Sequence, residues 1–373
     1  IYTLSLHDAL PIWSALFTWF LAALLAFGIM PASALPSLAD DVVNVSTGAE
    51  LEAALESEGD KTVKLTADVL YDLNQPIDIK GNKTLKLSGH KIEITTWNGF
   101  HLSTGADLKI DGEASGGEIV LAQQGSLFYM NGGSLTIDGG SYVVFDPISI
   151  VVLIDISTAG GKVEINGGSF QDIRGKVIYS RSEKSANPPQ VVINGGIFTS
   201  NIESVWKSAD SDVTGGTVNG GTFYSMEPFP AFDFGDTGNK FLGDAKYLVI
   251  DGEHNANRNL WELKGSCIQV GNDVSDFVNV TMDAVAGGKG YFFKEGWDKT
   301  AVLAMKNGFL PVLAVPDAGK ILSVWEKEGS SAGEFVDKSL MDAYYIPQAV
   351  STLKPKFAAA PQKPTLGIVG TYT

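Results

Sequence analysis

Cysteine is almost missing from this chain: Cys267 is the only one in 373 residues. That rules out an intrachain disulfide and any cysteine-rich metal site. A lone cysteine reads as a small buried hydrophobe rather than a nucleophile. Basic residues are also scarce, 27 Lys and Arg against 43 Asp and Glu, for a net charge of −16. Such a surface repels phosphate backbones, so nucleic acid is not an expected partner. No positive charge occurs before Lys61. Long helical periodicity is lacking too, apart from one short segment near the N-terminus. With 44% hydrophobic and 19% charged residues the composition is that of a folded protein.

What the chain has in excess is glycine, 42 residues, and the glycines recur. They close units such as "LKLSGHKIEI" (85–94), "LTIDGGSYVVF" (135–145), "VEINGGSFQDI" (163–173), "VVINGGIFTSN" (191–201) and "LVIDGEHN" (248–255). The first Gly of each unit falls at Gly89, Gly112, Gly139, Gly167, Gly195, Gly220 and Gly252, spaced by 23, 27, 28, 28, 25 and 32. Two residues earlier stands an aliphatic side chain: Leu87, Ile110, Ile137, Ile165, Ile193, Val218 or Ile250. Period-two alternation then an Asx-Gly corner reads as a half-buried strand followed by a sharp turn. In the four central units an aromatic follows the Gly by three residues: Tyr142, Phe170, Phe198 and Phe223. A unit of this size cannot bury its face alone, and stacking copies does so. The fold class expected is therefore all-β. It is a right-handed parallel β-helix (solenoid) in which equivalent side chains form aliphatic, aromatic and Asn/Asp ladders. "TGAELEAALES" supplies an N-terminal capping helix, with Thr47 and Glu50 at capping-box spacing and Leu51, Ala54 and Leu55 on one face.

The helix "TGAELEAAL" and the rungs "TVKLTADV", "KTLKLSGHKI" and "LTIDGGSY" resemble the pectate-lyase-like right-handed β-helix of bacterial surface and secreted proteins. The order of strand, "VPDAGK", strand with Trp325, loop and "TLKPKF" resembles a divergent internalin-type B repeat, a small C-terminal β-rich module. The resulting division places the β-helix at 43–260, a connector or final rung at 261–287, and the B-repeat-like module at 288–357. Residues 358–373 read as a linker, with the chain cut short. The apolar run at 15–30 followed by "PASALP" matches a secretory signal peptide spanning 13–34. The run is short for a membrane span, which needs about 20 apolar residues. The expected location is extracellular or cell-surface, with no span in the mature chain. Residues 1–12, "IYTLSLHDALPI", match residue for residue the translation of a common sequencing adapter, so His7 and Asp8 carry no site.

Chemistry is hard to find. The families that run polysaccharide lysis or glycoside hydrolysis on such a scaffold carry NTD, GHG or RIK patterns, and none occurs here. The one DD, Asp40-Asp41, precedes the helix. Arg174, Arg181 and Lys207 carry no mark of a catalytic base, and no catalytic residue is assigned. Asp111 and Asp138, on successive units, are the candidates for a Ca²⁺ site, the single cofactor considered. Their column continues as Asn166, Asn194 and Asn219, which points to turn geometry instead. The loop "MEPFPAFDFGDTG" (226–238) sets Phe229, Phe232 and Phe234 among Asp233 and Asp236. Aromatic faces beside carboxylates suit sugar binding, and packing over the solenoid is the competing role. The function expected is a non-catalytic interaction or adhesion protein whose partner is a polysaccharide, a host or cell-surface glycan, or a protein. A lyase or glycosidase and a structural spacer are the alternatives.

Overall fold

The computed structural model describes residues 42–112, 116–144, 152–157, 160–172, 176–180, 190–200, 205–207, 217–225, 232–233, 247–255, 267–293, 296–328 and 333–361. Of Asp172, Lys176, Ser180, Ser200, 205–207, Ser225 and 232–233 the backbone alone is described. The expected adapter and signal segments lie outside these residues. No helix among the described residues is long and apolar enough to cross a membrane.

After β1 (Val42–Val45) comes α1 (Gly48–Glu56), the one α-helix among the described residues. Thr47 is its N-cap, and its hydroxyl accepts from the Glu50 N–H at 3.3 Å. The Glu50 carboxylate reaches back one residue beyond the N-cap, accepting from the Ser46 N–H at 2.8 Å. These bonds, the Ser46 N–H first, hold the Glu50 carboxyl below its usual range. Leu51, Ala54 and Leu55 are buried over the open end of the solenoid core, where bare strand edges would otherwise lie.

From β2 (Lys61–Leu65), β3 (Val69–Tyr71) and β4 (Ile77–Asp78) onward the chain repeats a three-strand unit. Every third strand joins the same parallel sheet, giving three faces. Face A gathers β2 and its equivalents, face B those of β3 and face C those of β4. This is the expected β-solenoid. Its inward ladder on face A runs Val63, Leu85, Ile110, Ile137, Ile165, Ile193, Val218 in register. All seven are buried at 2% exposure or less. On face B the rings of Tyr142, Phe170, Phe198 and Phe223 stack with centroids 4.9, 4.8 and 4.6 Å apart and planes within 10°. The ring spacing matches the distance between paired strands, so one aromatic per rung stacks directly on the next.

Two expectations from the repeat fail. First, Leu85 and not Leu87 registers with Ile110. Ser88 and Gly89 both have positive φ (54° and 81°), and the His90 N–H closes on the Leu87 carbonyl. That two-residue turn sits beyond the ladder and displaces the first Gly from its column. Second, "LVIDGEHN" is not a stacked rung. Tyr247–Ile250 pairs antiparallel with Cys267–Gly271 and hairpins back onto Glu253–His254. Asp251 and Gly252, at φ 49° and 76°, form the type of turn that hairpins favour.

Cys267–Gly271 itself pairs antiparallel with Gly221–Ser225, the last parallel strand of face B. The face thus ends in a reversed strand rather than an open edge. Cys267 is buried, and desolvation pushes its thiol well above the ordinary range, consistent with a packing role. Beyond it lie two four-stranded sheets. One orders Ala301–Met305, Phe277–Met282, Ser351–Ala359 and Lys320–Glu328; the other Gly288–Phe292, Leu310–Pro316, Asp342–Pro347 and Gly333–Phe335. Strand Phe277–Met282, ahead of the expected module, is thus built into it. Trp325, Tyr345, Phe292 and Leu353 fill its core, and the Trp325 indole N–H donates to the Leu340 carbonyl at 3.0 Å. Solenoid and sandwich belong to one compact unit, tied by the Tyr224 hydroxyl donating to the Phe293 carbonyl at 3.0 Å.

Candidate functional site

Face C strands turn alternate side chains to the solenoid core, although Val152–Ile156 is buried along its whole length. Phe100, Phe128, Ile154 and Ile178 point inward and are buried. Their neighbours point the other way. In register these are Asp78, His101, Tyr129, Asp155 and Tyr179, one per strand, and the backbone positions of Trp206 and Asp233 continue the line. The column spans roughly 29 Å at about 4.8 Å per strand. Its described side chains are one His, two Tyr and two Asp, where face A places mostly Lys, Thr and Glu in its outward column.

The described side chains are held in place locally. His101 Nδ1 lies 2.7 Å from Asp78 Oδ1, and the His101 and Tyr129 rings tilt against each other at 5.4 Å. His101 Nε2 is buried without a hydrogen-bond partner. Asp155 is 1% exposed, and the Ser126 hydroxyl donates to its Oδ2 at 3.3 Å. Tyr129 and Tyr179 remain partly exposed on either side of it, two strand spacings apart.

The residues expected from sequence distribute unevenly over this geometry. Phe232–Asp233 is the last strand of face C, pairing with Val205 and Trp206, so the Asp233 backbone lies at the end of the column. Phe229, Phe234 and Asp236 lie outside the described residues, as do Arg174 and Arg181. Lys207 is a backbone position on the strand before Phe232.

Asp111 and Asp138 occupy the corner after face A. Lys86 Nζ stands 3.6 Å from Asp111, and Lys109 Nζ 2.8 Å from Asp138. The Asn166 amide donates to Asp138 at 2.8 Å, Asn194 to Asn166 at 2.7 Å, and Asn219 to Asn194 at 2.8 Å. This is the Asn/Asp ladder, begun by a carboxylate. Burial works against the Asp138 charge, but the bonds from Lys109 and Asn166 outweigh it and hold the carboxyl below its ordinary range. Among the described residues no group of three or more His, Cys, Asp or Glu side chains is arranged to hold a metal ion.

A carboxyl depressed on folding stabilises above its unfolded value near 3.8 and loses that contribution as pH falls through its folded value. Asp138→Asn is therefore expected to cost under ~1 kcal/mol at pH 7, since the pair is partly exposed. It is also expected to flatten the loss of stability below about pH 4. Urea midpoints from pH 2 to 7 for both proteins measure this; parallel curves would remove Asp138 from the acid response. No family model matches the chain, and no curated protein or solved structure is detectably similar to it.

Proposed function

We propose that the chain is a non-catalytic interaction protein, secreted or displayed on a bacterial surface, whose solenoid presents face C to an extended partner, a polysaccharide in its simplest form. The observation that carries this reading is the column of exposed Asp78 and partly exposed His101, Tyr129 and Tyr179, with the backbone positions of Trp206 and Asp233 continuing its line. Aromatic faces repeated along an axis accept successive sugar rings, and carboxylates beside them accept hydroxyl protons. A solenoid supplies the length that such a partner needs. The surface and secretory assignment rests on the signal-like segment and on the pectate-lyase-like and B-repeat-like motifs of the sequence. A retention assay of the full chain on immobilised polysaccharides tests it. Tyr129→Ala with Tyr179→Ala is expected to weaken retention about tenfold, ~1.4 kcal/mol. No polysaccharide retained, or equal retention of the double variant, counts against the proposal.

A second reading has one specific support. His101 is oriented by Asp78 and adjoined by Tyr129, which is the geometry of a base and an acid for β-elimination or hydrolysis. Under that reading the wild type releases unsaturated or reducing ends from a retained polymer, and His101→Gln abolishes the release.

A further inference from the structure

Where the solenoid meets the sandwich there is an open cleft of about 710 Å³, within the size range of small-molecule sites. One wall is the end of the asparagine ladder, Asn194 and Asn219. The lining also includes Ser275, Lys306 and Phe309, from the segments that lead into and out of the sandwich strands. Thr222 forms part of the lining between them.

The chemistry of the ladder end is specific. Each amide N–H of the ladder is donated to the carbonyl oxygen of the preceding member. Asn219 is the last described member, so its Nδ2 is engaged while its Oδ1 has no hydrogen-bond donor among the described residues. The group that continues the pattern is another amide N–H. Thr222, at 1% exposure, adds a hydroxyl oxygen without a partner, and it is directed at Gly308 on the cleft lining. A buried hydroxyl left unpaired is costly, on the order of 1–3 kcal/mol. Lys306 is exposed, and its ammonium lies near enough to the Asp273 carboxylate to help lower that group. Phe309 offers a half-buried ring held edge-on to Tyr344 at 5.7 Å.

We infer that this cleft binds an acetamido sugar, with the acetamido N–H donated to Asn219 Oδ1. Ring hydroxyls pair with Lys306 and Ser275, and the apolar ring face lies on Phe309. An amide fixed by its neighbour is already oriented, so little ordering is needed on binding. A sugar without the amide offers Asn219 Oδ1 no donor to continue the ladder, which is the basis for discrimination. The site is separate from face C and stands or falls independently of it.

The test is calorimetric or NMR titration of the full chain with N-acetylglucosamine and chitobiose against glucose and cellobiose. At least tenfold preference for the acetamido sugars is expected. Asn219→Ala is expected to erase the preference. Ser275→Trp, at an exposed position, is expected to weaken acetamido-sugar binding at least tenfold by occupying the cleft while the fold stays intact. Trp97→Ala, at an exposed position outside the cleft lining, is expected to change neither. Equal affinity for the two sugar classes, no saturable binding of any of the four, or undiminished binding in Ser275→Trp would overturn the inference. Retention of polysaccharide by face C would survive each of those results, so the two readings fail separately.

Discussion

Phe198→Ala is expected to destabilise the protein by about 3–5 kcal/mol, a large share of the margin of a typical domain. Phe198 is fully buried and sandwiched, with Phe170 at 4.8 Å on one side and Phe223 at 4.6 Å on the other. Truncation removes its own transfer free energy, opens a cavity, and forfeits two stacking contacts worth roughly 0.5–1.5 kcal/mol each. The site cannot collapse easily, because parallel hydrogen bonds above and below fix the strand spacing. Phe198→Leu keeps most of the volume and is expected to cost about 1.5 kcal/mol or less. Urea unfolding of both variants measures the difference. A loss below about 1 kcal/mol for the alanine variant would mean that the stack fills space without holding the rungs together.

Gly112→Ala is expected to be nearly as damaging, at about 3 kcal/mol, while Gly139→Ala costs well under 1 kcal/mol. Both are the first glycine of a repeat corner. A Cβ on Gly112 would stand 2.1 Å from the Gly139 carbonyl carbon and 2.3 Å from the Gly140 nitrogen, and backbone cannot move aside. The same atom on Gly139 would meet nothing closer than 3.6 Å, an ordinary contact. At this pair of corners the earlier glycine is the one that must lack a side chain, whereas further along it is the later one, a Cβ on Gly220 meeting the Asn194 carbonyl oxygen at 2.5 Å. Thermal unfolding of the two variants reads this contrast directly. Equal losses would show that the glycines serve a shared backbone conformation instead of close approach.

The same two glycines show how far the sequence could be read. Spacing and alternation identify the solenoid, its aliphatic and aromatic ladders, the amide ladder and the capping helix, because each follows from a local rule repeated. They do not reveal which glycine is crowded, since that depends on the neighbouring rung. Asp-Gly at 251–252 misleads for a physical reason: the dipeptide that turns a repeat corner also closes a two-residue hairpin. The register slip at Leu85 has a similar origin in the extra Ser88-Gly89 turn. The face C column stayed hidden because the chain between corner and strand varies. Phe128 follows Gly112 by 16 residues, Ile154 follows Gly139 by 15, and Ile178 follows Gly167 by 11. Only the paired backbone brings Asp78, His101, Tyr129, Asp155 and Tyr179 into one line. The one signal available in the sequence was Asp233, singled out for its aromatic neighbours, which lies at the end of that line.

Hydroxyl-radical footprinting of the full chain, with and without a retained polysaccharide, tests the central claim most directly. If face C is the binding face, oxidation of Tyr129, Tyr179 and His101 falls when the polymer is bound, while exposed Trp97 and the exposed sandwich residue Met341 react as before. Unchanged oxidation of the two column tyrosines, with protection appearing at Trp97 or Met341 instead, would contradict it.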